Sequence, residues 1–285
     1  MRVFWSGLLI VLVSFSAACD NSTAVQDDDD DGVPQTIGDW QLVWNDEFEG
    51  DRVDTGKWSF QVGDGCDIGL CGWGNNELQS YTTTNASVED GKLVITAERE
   101  SVGGRDYTSA RVRTANKGDW KYGRFEIRAK LPPGQGFWPA IWLLPTDGTY
   151  GGWAASGEID IMEAQGQAPR TVLGTLHYGD TFPNNQSSGG AYSLPSGFFT
   201  DSFHTFVLEW SEGRMLWYVD DVPYQVQTEW NTVSAPFPAP FDQRFHLLLN
   251  VAVGGNFVGA PDGTTTFPQS MEVEYVRVYQ KPDAQ

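Results

Sequence analysis

The feature that most constrains this chain is a succession of short segments rich in β-branched and aromatic residues, cut by turn signals at close intervals. Lys92 to Ala97, Tyr122 to Arg128, Thr205 to Trp210, Met215 to Asp220 and Val273 to Tyr279 alternate apolar with polar residues or run apolar. Such segments fit a pleated, half-buried surface. Between them, Asp90-Gly91, Pro132-Pro133-Gly134, Asp147-Gly148, Gly189-Gly190 and Gly254-Gly255 read as turns. No long segment carries a 3.6-residue apolar period, and no internal repeat stands out. The pattern predicts an all-β antiparallel sandwich, a single domain over residues 39–285.

The residues before it read differently. Arg2, the apolar run Leu8 to Val13 and the small residues Ser16-Ala17-Ala18 before Cys19 form a secretory signal pattern over residues 1–18, too short for a stable membrane span. The small residues before Cys19 resemble a bacterial lipobox, in which the cysteine is lipidated and becomes the new N-terminus; Ser16 stands where that pattern usually has Leu. Ordinary cleavage near Ala18 is the alternative. Either way the chain is expected outside the cytoplasm, at the cell surface or in the periplasm if anchored, otherwise secreted. Residues 19–38, with five consecutive Asp at 27–31 and no Lys or Arg, read as a solvated acidic tether. In an oxidising compartment Cys66 and Cys71 are expected to close a small disulfide loop, two free thiols being the alternative.

With 38 acidic against 18 basic residues and a formal net charge of -20, the chain is not expected to bind nucleic acid, or a membrane other than through a lipid. Its 12 Trp suit both a core and a surface that stacks on sugar rings.

The chemistry concentrates in Gly157-Glu158-Ile159-Asp160-Ile161-Met162-Glu163. In a strand Glu158 and Asp160 share one face, and Ile159 and Ile161 point to the other. Simple alternation would send Glu163 into the core, where an unpaired carboxylate is costly. A β-bulge at Ile161-Met162 resets the parity, so that three carboxylates share a face and Met162 fills space behind them. Crowded acids push one another toward protonation. Two carboxyls with separated pKa values are what glycosidic bond cleavage uses, one as nucleophile and one as proton donor. Asp160, between them, is expected to hydrogen-bond the nucleophile.

Glu158-Ile159-Asp160-Ile161-Met162-Glu163 resembles the signature of glycoside hydrolase family 16 in its bulged, laminarinase-like form. Further similarity runs through Trp44 to Phe48, Trp73 to Gln79, Gly136 to Pro145, Asn250 to Gly255 and Tyr275 to Tyr279, covering roughly residues 40–281. The resemblance implies a β-jelly-roll of two curved antiparallel sheets with a concave substrate cleft. It implies endo-acting hydrolysis of 1,3-β-glucan, mixed 1,3-1,4-linked glucan included, with retention of configuration. Glu158 would be the nucleophile, Asp160 its assistant and Glu163 the general acid/base.

The resemblance also implies sugar contacts from Asn75, Arg111, Trp153 and His177. Trp138 and Trp142, four apart on one strand, are expected to face the same way, with at least one lining the cleft; both in the core is the alternative. No cofactor is implied for catalysis. A structural calcium is, with Glu47, backbone oxygen at Gly91 and Glu274 as ligands; solvated carboxylates are the alternative. The protein is expected to act as a monomer. Other readings are a glucan-binding surface protein without turnover, and a galactan-cleaving or transglycosylating relative.

Overall fold

The computed structural model describes residues 32–282. The signal segment, Cys19 and most of the acidic tether lie outside the described residues. Two antiparallel sheets carry the domain and curl into a half-barrel. One sheet has nine strands, with Gly123–Lys130 and the long Gln269–Gln280 at its centre. The other has eight and carries the site. Its order is Gln186–Ser193, Thr171–Tyr178, Glu158–Ala164, Phe137–Pro145, Phe245–Val253, Arg111–Arg113 and Ser59–Gln61, with Asp119–Trp120 also paired to Phe245–Val253. One short pair, Gln79–Tyr81 with Tyr107–Ser109, is parallel.

The strand Phe245–Val253 shows how the layers are built. All nine of its residues are buried. Phe245, Leu247, Leu249, Val251 and Val253 enter the core between the sheets. The intervening His246, Leu248, Asn250 and Ala252 therefore face the concave side. The same alternation sends Ile141 and Leu143 inward from Phe137–Pro145 and turns Trp138 and Trp142 outward. Trp58, Trp120, Trp210, Trp217 and Trp230 belong to the core, so the Trp content serves both packing and cleft.

Two expectations change. Thr36–Ile37 pairs with Trp40 and Gln41, so ordered strand begins before residue 39. Gly189-Gly190 is no turn. Both glycines lie within Gln186–Ser193, because a Cβ at Gly190 would come 2.4 Å from Gln225 Oε1, and one at Gly189 would come 2.7 Å from the Gly174 carbonyl oxygen. Close approach, to the other sheet at Gly190 and to the neighbouring strand at Gly189, rather than chain reversal, requires glycine there. By contrast Asp90 and Gly91, with φ of 50° and 69°, join Ala86–Glu89 to Lys92–Ala97 with Glu89 opposite Lys92. That is a two-residue hairpin, whose turn needs positive φ at both positions.

Candidate active site

The carboxylate strand carries the expected bulge. Met162 lies opposite Ile141 and Asp160 opposite Trp142, so Ile161 is the residue without a partner on that side. Ile159, Ile161 and Met162 are all buried in the core. On the far side Glu158 pairs with His177, Asp160 with Thr175 and Glu163 with Leu173. Glu158, Asp160 and Glu163 therefore all reach the concave face. The Trp217 indole on the opposite sheet donates 2.9 Å to the Asp160 carbonyl and fixes the strand from below.

Each outer carboxylate is held by an indole. Trp153 Nε1 donates to Glu158 Oε2 at 2.9 Å, and Trp138 Nε1 donates to Glu163 Oε1 at 2.9 Å. Trp142 faces the same way but donates to Asn250 Oδ1 at 2.8 Å. His177 Nε2 lies 3.8 Å from Glu158 Oε1 and 3.3 Å from Asp160 Oδ2. The expected hydrogen bond from Asp160 to Glu158 is not formed. Asp160 Oδ2 is buried without a hydrogen-bond partner, and Asp160 acts on its neighbours through charge.

Burial pushes all three carboxyls up, each to about 8, and the charge of Asp160 adds to the effect on Glu158 and Glu163. His177 and the Trp153 N–H oppose this at Glu158, as Trp138 and His177 do at Glu163. Three like charges cannot coexist here, so the trio shares protons and titrates as a unit. Glu158 and Glu163 each have an indole N–H at 2.9 Å, and the His177 ring lies beside Glu158 and Asp160.

Asn75 and Arg111 meet at a second cluster. The buried Arg111 guanidinium stacks on Trp73, Tyr81 and Trp142, with centroids 4.4, 4.7 and 5.2 Å away. It lies 3.6 Å from Glu77 Oε1. Asn75 Nδ2 donates to that oxygen at 3.4 Å, and Gln79 and Tyr81 donate to Glu77 Oε2 at 2.6 and 3.1 Å. Glu77, Trp73 and Tyr81 were not among the expected site residues. The alternation Asn75, Glu77, Gln79 was the available signal, three polar residues with strand spacing.

The expected calcium ligands do not come together as a vacant oxygen set. Glu47 takes both arms of the Arg277 guanidinium, at 2.9 and 2.8 Å, and a bond from Asn45 at 3.1 Å. Glu274 is paired with Arg128. A calcium ion would have to displace two guanidinium groups, so these residues do not fit the metal. Cys66 and Cys71 are joined as a disulfide.

The sequence pattern of Glycosyl hydrolases family 16 matches residues 74–276, the span that includes every carboxylate and indole of the trio. The chain belongs to glycoside hydrolase family 16. It is 44% identical over 275 residues to glucan endo-1,3-beta-glucosidase A1 of Niallia circulans, which spans 90% of this chain and 40% of that protein. It is 44% identical to the glucan endo-1,3-beta-glucosidase of Cryptopygus antarcticus over 84% of this chain and 92% of the relative. The laminarinase catalytic domain of Thermotoga maritima superposes with a TM-score of 0.77 at 46% identity, covering 85% of this chain and 98% of that one. The fold is thus the family 16 jelly-roll, and the chain is a glycoside hydrolase.

Proposed function

We propose that this chain hydrolyses internal bonds of 1,3-β-glucan, mixed-linkage glucan included, with retention of configuration. The observation that carries the reading is the bulged strand, which aims Glu158 and Glu163 at one cleft with an indole N–H on each. Glu163, protonated, gives its proton to the glycosidic oxygen as the Glu158 carboxylate attacks the anomeric carbon and the leaving chain departs. A glycosyl ester on Glu158 results. Glu163, now ionised, takes a proton from water as that water attacks the same carbon, and Glu158 is released. Asp160 and His177 set the charge of Glu158 through the contacts described. Trp138, Trp142 and Trp153 offer ring faces to glucose units, and Asn75 and Arg111 offer hydrogen bonds at a distance from the cleaved bond.

The test is digestion of laminarin with product sizing and NMR of the first anomer formed. Oligosaccharides with a β-configured new end are expected. No release of sugar would leave a binding protein, and an initial α anomer would mean inversion. Attack on the intermediate by sugar instead of water would give longer products in the same digest.

Export rests on the N-terminal sequence. A lipid on Cys19 would place the enzyme on a membrane at the end of an acidic tether. Fractionation of the full-length protein and of Cys19→Ser tests this, membrane association of the wild type alone being expected. Sedimentation of the mature domain tests the monomer.

A further inference from the structure

Three ligand atoms converge on one point in the cleft. One oxygen each of Glu158 and Asp160 and a ring nitrogen of His177 lie within 4.8 Å of one another. They come from two paired strands rather than from loops. Glu158 and Asp160 are two apart on Glu158–Ala164, and His177 lies opposite Glu158 on Thr171–Tyr178. His177 Nε2 is 3.3 Å from Asp160 Oδ2 and 3.8 Å from Glu158 Oε1.

The oxygens on the His177 side are the ones without donors of their own. Glu158 Oε2 accepts from Trp153, which leaves Oε1 towards the imidazole. Asp160 is 2% exposed, and its Oδ2 is buried with no hydrogen-bond partner. A buried carboxylate oxygen left unpaired costs folding free energy unless a ligand completes it.

The spacing suits a metal ion. Zinc takes His nitrogen and carboxylate oxygen at about 2.0–2.2 Å in a tetrahedron, whose edges are then about 3.3–3.5 Å. The distance from His177 Nε2 to Asp160 Oδ2 is already such an edge. A small turn of the Glu158 side chain brings Oε1 to the same distance. The Glu158 and His177 side chains keep 15% and 24% of their surface exposed, so an ion enters from the cleft. Two carboxylates and a neutral imidazole cancel the charge of a divalent ion, which favours the complex where water is scarce. Calcium and magnesium are poorly served, since they take six or more oxygens and these residues supply two with a nitrogen. His177 Nδ1 is buried without a partner. Zinc-bound imidazoles are ordinarily steadied through that second nitrogen, so the ion is held reversibly and not as a structural zinc.

We propose that Glu158, Asp160 and His177 form a zinc site, and that zinc bound there switches the enzyme off. The ion takes the Glu158 oxygen that would attack the sugar, so zinc and substrate exclude one another. The ligand set is independent of which polymer the cleft accepts.

The test uses the full-length chain carrying Cys19→Ser, which removes the thiol outside the Cys66–Cys71 disulfide, freed of metal with EDTA. Calorimetric titration with zinc should show a site that His177→Phe weakens at least about tenfold, since even an outer partner of a zinc ligand is worth that much. Cobalt(II) in place of zinc should give the strong visible absorption of a tetrahedral ion, lost in His177→Phe. Asp160→Asn, close in shape to the native residue, should weaken both and carries the comparison if His177→Phe does not fold. His204→Phe, in the other sheet, should bind zinc as the parent does. Zinc should raise the apparent KM for laminarin without changing kcat, and calcium should not. Absence of binding, binding that survives both His177→Phe and Asp160→Asn, or inhibition that added laminarin does not relieve overturns the proposal. A chain that binds zinc at these residues but never cuts laminarin would support the site and overturn the glucanase reading.

Discussion

Trp153 donates its indole N–H to Glu158 across 2.9 Å, although the indole itself is 42% exposed at the cleft. The bond favours the ionised carboxyl against burial and the neighbouring Asp160 charge, both of which push it up. Trp153→Phe keeps a ring and removes the donor. The acidic limb of the kcat/KM profile should therefore move to higher pH. Activity below the optimum should fall about tenfold, the worth of one hydrogen bond to a charged group. An unmoved acidic limb would show that the indole only stacks on sugar.

Raised carboxyl pKa values also make a stability prediction. Glu158 goes from the ordinary 4.5 to about 8 on folding. Between those values the folded state binds more protons than the unfolded one, so stability falls as pH rises. The penalty is absent below the unfolded pKa and complete above the folded one. Glu158→Gln removes one such group while leaving an acceptor for Trp153. Its Tm should match wild type near pH 4 and exceed it increasingly toward pH 8, with hydrolysis abolished. A Tm difference that does not change with pH would show that the carboxyl is not held protonated by its surroundings.

Glu163 can be tested apart from Glu158. Glu163→Ala removes the proton donor and leaves the nucleophile. Substrates with good leaving groups should still form the glycosyl-enzyme, whereas laminarin, which needs the proton, should not be cut. Azide fits where the carboxyl was and needs no general base. It should restore turnover of the activated substrate and yield a β-glycosyl azide. An α-glycosyl azide would mean that no covalent intermediate had formed.

The carboxylate strand was legible because period-two alternation and the cost of burying Glu163 are local arguments. Six residues suffice to demand the bulge. What was not legible depends on partners far along the chain. Gly189-Gly190 looks like a turn until Gln225 is seen to press against it. Glu77 reads as surface until Arg111 and Tyr81 close over it. Glu47 reads as a free oxygen ligand until Arg277, 230 residues later, takes both its oxygens.

That last pairing is testable by metal removal. With Glu47 and Glu274 held by Arg277 and Arg128, calcium has no free carboxylate to claim there. Chelation by EDTA should leave the Tm of the mature domain unchanged, and added calcium should not raise it. Glu47→Gln should instead lower stability by about 1.5–3 kcal/mol, because it leaves the Arg277 charge without its counter-ion. A calcium-dependent rise in Tm that Glu47→Gln abolishes would restore the metal site.

The bulge itself can be removed. Met162 is opposite Ile141, and the extra Ile161 has no partner there, while both side chains are buried. Deleting Met162 gives Glu-Ile-Asp-Ile-Glu, in which simple alternation keeps Glu163 on the side of Glu158 and lets Ile161 take the place opposite Ile141. The core loses one large side chain, so the deletion should cost about 2–5 kcal/mol, as Ile161→Ala should in the intact strand. The two variants should differ in chemistry. Ile161→Ala leaves the carboxylates where they are and should keep near-normal kcat on laminarin when folded. The deletion leaves Glu158 and Glu163 the same number of ladder positions apart but removes the bend and extra twist of the bulge. Because the carboxyl separation must stay at about 5–5.5 Å for retention, the variant should retain only part of the activity. A deletion variant that is folded and completely inactive would show that the bulge sets the spacing of the acids as well as their face.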